Sequence, residues 1–473
     1  FFRNKPLLHS SRCRALFFVR AAEDETEVQV MNYAFTHATL LTGQKDMASQ
    51  GDMTVVIREG RISDIKKLFP APEGCTEINL AGRFLMPGLI NLGSFLPSSG
   101  KAGSAGNADS AGRASGASGK ADRNYFLKIY TELLSRNNAK NECYSGVTSL
   151  FSAGEAAGAD ITVRNEIANE KSVGPRILAC GPCLLPPGGA STGLYGISCG
   201  TEEECRAAVA ENARAGADWI RIHTADFAAG SCYTGPSPVH TGVSETGKDE
   251  FVRMPPELLK AACTMSHKLG LKAAVRVMTK EDTENALQAG ADLIENVPEL
   301  DDGLIGCFKE NGTALSFSFS ALLAFFKLPQ NITGLADSCR EKIKNQIEGM
   351  SRAVGSAMEN GIPVGISGDS GRPYAAHYGF FRELCNFSQL CGARNEDVLY
   401  AATAGNAKIL GIDAETGKVE CGKCADLIVT NGNPVDDLKA LRQVTMVMAA
   451  GNLIRTPHVR HLDDLDDALD EYL

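Results

Sequence analysis

Residues 255–295 read PPELLKAACTMSHKLGLKAAVRVMTKEDTENALQAGADLIE, and two helix–strand units are written in that stretch. Apolar residues recur at helical spacing from Pro255 to Leu269, and the apolar run Leu271–Val277 follows as a strand. The pattern then repeats. Glu281–Ala289 is helical by period, Gly290 stops it, and Asp292-Leu293-Ile294-Glu295 is the next strand. Upstream, Glu202–Ala215 turns through Gly216-Ala217-Asp218 into the strand Trp219–His223. Downstream, a long helix over Glu341–Asn360 precedes the strand Pro363–Ser367. Strands that alternate with helices pair in parallel, and this many units in one unbroken stretch predict an α/β fold: a closed (β/α)8 barrel over residues 86–411.

A different grammar bounds the barrel. Tyr33–Leu41, Met53–Arg58 and Ile62–Lys66 read as short strands between turns, and Ala425–Val429, Val444–Ala449 and Asn452–Ile454 do the same at the far end. One β-sandwich domain built from residues 31–85 and 412–455 is therefore expected, with 456–473 an acidic tail. Of the 25 residues Ser98–Asp122, 19 are Gly, Ala or Ser. Ordering such a segment costs backbone entropy with little apolar burial to offset it, so 98–122 is expected to be a flexible loop at the catalytic face. Residues 1–30 read as an extension outside the fold, with Met31 as the start. Phe1 to Arg20 holds five basic residues and no acidic one, but its apolar run is short and no small-residue cleavage pattern follows.

Composition narrows the function classes. The 473 residues are 44% hydrophobic and 22% charged, and 57 acidic against 47 basic side chains give a net charge of −10. An acidic chain without a basic run is a poor match for nucleic acid, and no apolar stretch is long enough to span a membrane. Fifteen cysteines without framework spacing read as reduced thiols in a cytoplasmic protein. Cys180-Gly181-Pro182-Cys183 has redox-motif spacing, but Leu184-Leu185-Pro186-Pro187 after it does not begin a helix. Cys421-Gly422-Lys423-Cys424 is a second such pair, placed in the other domain, and both are read as incidental.

Several segments in order resemble the amidohydrolase superfamily, in its imidazolonepropionase-like and dipeptidase-like metal-dependent branch. They are Ala81-Gly82-Arg83-Phe84-Leu85-Met86-Pro87-Gly88-Leu89-Ile90-Asn91, Val173-Gly174-Pro175-Arg176, Gly216-Ala217-Asp218-Trp219-Ile220, Ser266-His267-Lys268-Leu269-Gly270, Ala289–Glu295, Gly365-Ile366-Ser367-Gly368-Asp369 and Ala425–Val429. The resemblance implies a TIM barrel with a sandwich made from both chain ends. It also implies hydrolysis of non-peptide or dipeptide C–N bonds by water activated on one or two divalent metals, usually zinc.

The ligand positions implied by the resemblance hold other residues. Gly93 and Phe95 stand at the first pair, Arg221 at the bridging lysine, Arg276 and Asn296 at the next two. Only Asp369, which would be metal ligand and general base, keeps the family residue. Two of the replacements are permanent cations, which repel a divalent ion. No metal is therefore expected, nor any other cofactor. None of the eight histidines stands at a ligand position; His223 shares the strand of Arg221, and His377 resembles a position in the last active-site loop. The sequence predicts an amidohydrolase relative without catalysis, its pocket formed by Arg221, His223, Arg276, Asn296 and His377 around Asp369. The expected partner is a small anionic ligand or a protein, with a homo-oligomer left open. The alternative is an active C–N hydrolase with an atypical or single-metal zinc site.

Overall fold

Each barrel strand is only three to six residues long, yet nearly every side chain on it is buried, because parallel strands covered by helices on the outside and packed within have no solvent face. A computed structural model describes residues 31–100, 120–155, 157–193, 195–227 and 251–473. Five strands come first: β1 (Tyr33–Leu41), β2 (Ser49–Arg58), β3 (Arg61–Lys67), β4 (Thr76–Asn79) and β5 (Phe84–Pro87). The barrel then begins with β6 (Leu89–Ser94), β7 (Val147–Ser152) and β8 (Arg176–Leu178). Two short strands, β9 (Cys183–Leu185) and β10 (Gly196–Ser198), pair beside β11 (Trp219–His223), and β12 (Ala225–Phe227) pairs with β13 (Phe251–Arg253). The barrel continues through β14 (Lys272–Arg276), β15 (Leu293–Glu295), β16 (Ala314–Phe317) and β17 (Val364–Ile366). Strands β18 (Leu427–Thr430), β19 (Val444–Ala449) and β20 (Asn452–Ile454) follow.

The helices between these strands start and stop where their caps dictate. Thr201 with Glu204, and Thr279 with Asp282, form reciprocal capping boxes. Gly216, Gly290 and Gly312 end their helices in the left-handed conformation that glycine adopts without a Cβ penalty.

Ladders are parallel from β6 through β8, and from β11 to β14 and on through β17. Between β8 and β11 the amides of Asp218 and Trp219 both donate to the Ala179 carbonyl. The seam between β17 and β6 is closed by asparagine side chains. Asn406 Nδ2 donates to the carbonyls of Ile90 (2.6 Å) and Ile366 (2.9 Å), and its Oδ1 accepts from the Ile366 amide at 3.1 Å. Asn91 Oδ1 accepts from the amides of Gly93 and Gly368 at 3.0 and 2.7 Å. These amides supply the backbone partners that a missing ladder would leave orphaned. Gly365 is required beside them, since a Cβ there would lie 2.4 Å from Leu92 and 2.5 Å from Asn406.

The two chain ends form one eight-stranded sheet in the order β20-β19-β18-β5-β1-β2-β3, with β4 beside β1. It curls until Arg61 bridges Cys424 and encloses a core of Phe35, Leu40, Val55, Ile57, Leu427 and Val429. This is the composite β-sandwich. Its first part extends to Pro87, which registers with Leu427 on β18, two residues past the expected boundary at 85. Residues 456–473 are more than a tail: Asp463–Asp470 is a helix docked on the barrel, with Asp466 buried. The extension 1–30 and the greater part of the expected loop 98–122 lie outside the described residues. At the loop's far end the helix Lys120–Tyr144 already begins, a helix that Gly/Ala/Ser counting passes over.

Candidate active site

Every residue singled out at the barrel mouth sits at the C-terminal end of a strand or just beyond it. Arg221 and His223 are on β11, Arg276 ends β14, Glu295 ends β15 with Asn296 next, and Asp369 lies three residues past β17. Arg276 and Glu295 are direct neighbours in the β14–β15 register. In a parallel barrel this is the end at which loops converge and chemistry is placed.

Asp369 is the centre of the arrangement. Arg276 grips it with both terminal nitrogens, Nη1 to Oδ1 at 3.1 Å and Nη2 to Oδ2 at 3.0 Å, the parallel fork that guanidinium and carboxylate geometry favours. Ser318 Oγ also donates to Oδ2 at 3.0 Å. Burial alone would raise the Asp369 pKa, but Arg276 and Arg372 outweigh it and hold the carboxyl well below its ordinary range. Asp369 is thus a fixed anion, not a base poised near neutrality. Its φ of +43°, like the +60° of Asn296, is a left-handed conformation that Asp and Asn tolerate better than most residues.

The second guanidinium makes a second pair. Arg221, wholly buried, donates through Nη2 to Glu295 Oε2. Its Nε and Nη1 are buried without a hydrogen-bond partner among the described residues, as are His223 Nε2 and Glu295 Oε1. His223 is kept neutral: burial, then the charges of Arg221 and Arg276, push its pKa well below the imidazole value. Arg372, three residues past Asp369, is a third buried cation. Burial and the like charge of Arg276 push its pKa down from the usual guanidinium value. Its guanidinium lies 3.7 Å from the Phe95 ring centroid, with Arg221 at 5.5 Å from the same ring. Tyr195 meets Phe95 edge-on at 5.6 Å. Phe95 thus supports two cations through its ring quadrupole.

The remaining expected positions are placed as follows. Asn296 accepts from the Ser318 amide (3.0 Å) and donates to Ser318 Oγ (3.2 Å), so it holds the β16 loop against Asp369. Gly93 faces the same centre, but a Cβ there would lie 2.2 Å from Ser367 Oγ; Ser367 has taken the space of a side chain. His377 stands apart from the arginines. Its Nε2 donates to the Ser98 carbonyl at 2.7 Å and its Nδ1 lies 3.0 Å from Glu142 Oε1. Glu142, fully buried, also accepts from Ser94 Oγ (2.6 Å) and Asn91 Nδ2 (3.1 Å). Both His377 ring nitrogens are therefore engaged in tying helix Lys120–Tyr144 and the 371–379 loop to β6, and the ring offers no free nitrogen to a pocket ligand. Cys180 and Cys183 are buried thiols directed at the carbonyls of Ser152 and Ala153, and burial pushes Cys183 up to about 12.

Glu295, Arg372, Tyr195 and Ser318 are missed by sequence reasoning. Glu295 carried a signal, since it ends a strand adjacent to the one ending in Arg276. Arg372 is reached only through the turn after β17.

Residues 133–454 match the amidohydrolase family, and the chain belongs to that family. A protein from Bifidobacterium longum, designated provisionally as a prolidase, is 33% identical and superposes with a TM-score of 0.78 over 93% of this chain and 99% of its own. An Xaa-Pro dipeptidase with methionine bound in its active site shares the fold at 24% identity and TM-score 0.72, over 90% of this chain and 100% of its own. Ochratoxinase from Aspergillus niger is 24% identical over 335 residues, 64% of this chain. That match spans 65% of ochratoxinase's length, and its crystal structure superposes with TM-score 0.71. The family hydrolyses C–N bonds, typically with divalent metals. The donor set here does not fit such an ion. Zinc-like ions need imidazole, thiolate or free carboxylate donors, whereas Arg276 clasps both oxygens of Asp369 and the ring at position 95 has no donor atom. The two atoms left over, His223 Nε2 and Glu295 Oε1, lie in the field of the Arg221 and Arg276 guanidiniums, which repel a divalent ion.

Proposed function

We propose that the protein is a non-catalytic member of the amidohydrolase family, a barrel that binds a small anionic ligand or a partner in place of metal-activated water. The observation that carries this reading is the Arg276–Asp369 fork. It neutralises the one carboxylate retained at a family ligand position and keeps it ionised, bonded and unavailable as a base. Three guanidiniums against Asp369 and Glu295 leave an excess of positive charge around the mouth. Arg276, the least buried of the three arginines, is the group an incoming carboxylate or phosphate would meet.

Elemental analysis tests the reading. After incubation with zinc or manganese and removal of excess, bound metal should stay well below one equivalent per chain. Stoichiometric metal that is lost in Asp369→Ala would overturn it and favour an active hydrolase instead.

A further inference from the structure

The opposite end of the barrel holds a site that the mouth does not explain. The N-terminal ends of β14 to β17, with the segment 393–409 that closes the barrel base, enclose a cavity of about 460 Å3. Ligand cavities commonly fall in this size range. Its walls have two characters. One side is apolar, with Ile362, Pro363, Phe387, Ile409 and the 41% exposed Met358. The other carries Lys45, Lys272 and Lys408.

The charge balance of this cavity is one-sided. Its two carboxylates are already engaged: Asp292 accepts from the Ala273 amide at 2.8 Å and faces His267 at 2.9 Å, and Asp397 is held by Arg394 at 2.9 Å. None of the three ammoniums is ion-paired among the described residues. Lys408 donates to the Tyr400 hydroxyl at 3.0 Å, and Lys272 lies 5.2 Å from the Trp219 ring centroid. Ala401 and Gly405, the two ends of a π-helical turn, also line the cavity; such wide turns are frequent at functional sites.

We propose that this basal cavity binds a phosphate monoester bearing an apolar group about the size of one aromatic ring. Separate ammonium point charges suit a tetrahedral dianion, whereas a carboxylate is better matched by a guanidinium fork, and no arginine lines this cavity among the described residues. The apolar wall supplies the contact surface for the ring. The ligand sits at the end of the barrel opposite the arginine cluster, so it is not a substrate of the mouth.

Trp219 is the only tryptophan of the chain and reports on the site through Lys272, whose ammonium lies against its ring. Phenyl phosphate added to the full-length protein should change its emission saturably, and calorimetry should give the same affinity. Lys408→Ala, which leaves the Lys272–Trp219 contact intact, should weaken binding about tenfold. Lys272→Met combined with Lys408→Ala should abolish it by calorimetry, while Lys260→Ala on the outer helix leaves it unchanged. Inorganic phosphate should bind about tenfold more weakly for want of the ring. The three substituted lysines, Lys260, Lys272 and Lys408, are solvent-exposed, so the variants are expected to fold, checked by their melting curves. Flat emission and flat calorimetry into the millimolar range would overturn the proposal. So would an affinity unchanged in the double variant.

Discussion

Phe95 shows how one side chain organises a neighbourhood. A ring just past β6 offers no donor atom to a metal, but it carries Arg372 and Arg221 on its face; Arg221 in turn pairs with Glu295, while Arg276 beside them grips Asp369. Removing one partner from such a buried set leaves charge uncompensated. Asp369→Ala should therefore destabilise the fold by roughly 3–5 kcal/mol, measured by urea unfolding. A double variant, Arg276→Met with Asp369→Leu, should recover much of that loss, because two apolar groups replace two charges. If the single variant melts like the parent chain, the pair does not hold the barrel mouth together. Gly93 adds a further constraint. Any side chain introduced there, histidine included, requires displacing Ser367 Oγ.

Between elements, side-chain amides and carboxylates do the joining. Asn406→Ala removes three bonds across the β6–β17 seam and leaves buried backbone groups unpaired, which should cost roughly 3–5 kcal/mol in the same assay. Glu383 joins two other elements: from helix Phe380–Cys391 it accepts the amides of Phe319 and Ser320, both at 2.7 Å, at the start of helix Ser320–Lys327. Burial pushes its pKa up to about 7. The folded value lies above the unfolded one, so the stability it contributes is full below about pH 4.5 and is lost as pH rises through 7. Unfolding free energy should therefore fall by roughly 2–3 kcal/mol between pH 5 and 8, and Glu383→Gln should flatten that slope. An equal slope in the variant would assign the pH dependence to other groups.

The strands and helices around these contacts are legible in the sequence because their signals are local. Glu202–Ala215 and Trp219–His223 are delimited by a capping threonine, helical period and a left-handed glycine. The partners of Asp369 are less so. Arg276 can be placed because its strand end is periodic, but Ser318 and Arg372 come from turns whose direction no periodicity encodes. Phe95 reads as the loss of a ligand, and only its contact with Arg372 gives it a role.

At the scale of the molecule, the acidic segment 456–473 is structural. The last helix sets the buried Asp466 against Arg382 (3.0 Å), the Tyr378 hydroxyl (3.2 Å) and His461 (2.9 Å), and Asp470 pairs with Arg382 and Arg442. A run of acidic residues reads from sequence as solvated, yet four of its partners lie far upstream or across a turn. Asp466→Ala should lower stability by about 3 kcal/mol, and truncation after residue 460 should lower the melting temperature at least as much. A truncated chain with the melting temperature of the whole would show the helix to be dispensable.

The sandwich has a consequence for synthesis. β5 is flanked by β1 on one side and by β18 on the other, so the sheet is completed only when the chain's final segment arrives. Roughly 340 residues separate the two strands, about 20–70 s of translation at ribosomal rates. Throughout that interval the nascent chain presents β5 with one row of backbone groups unpaired. A chain halted or released before residue 427 therefore carries an open edge, the surface from which strand pairing between chains begins.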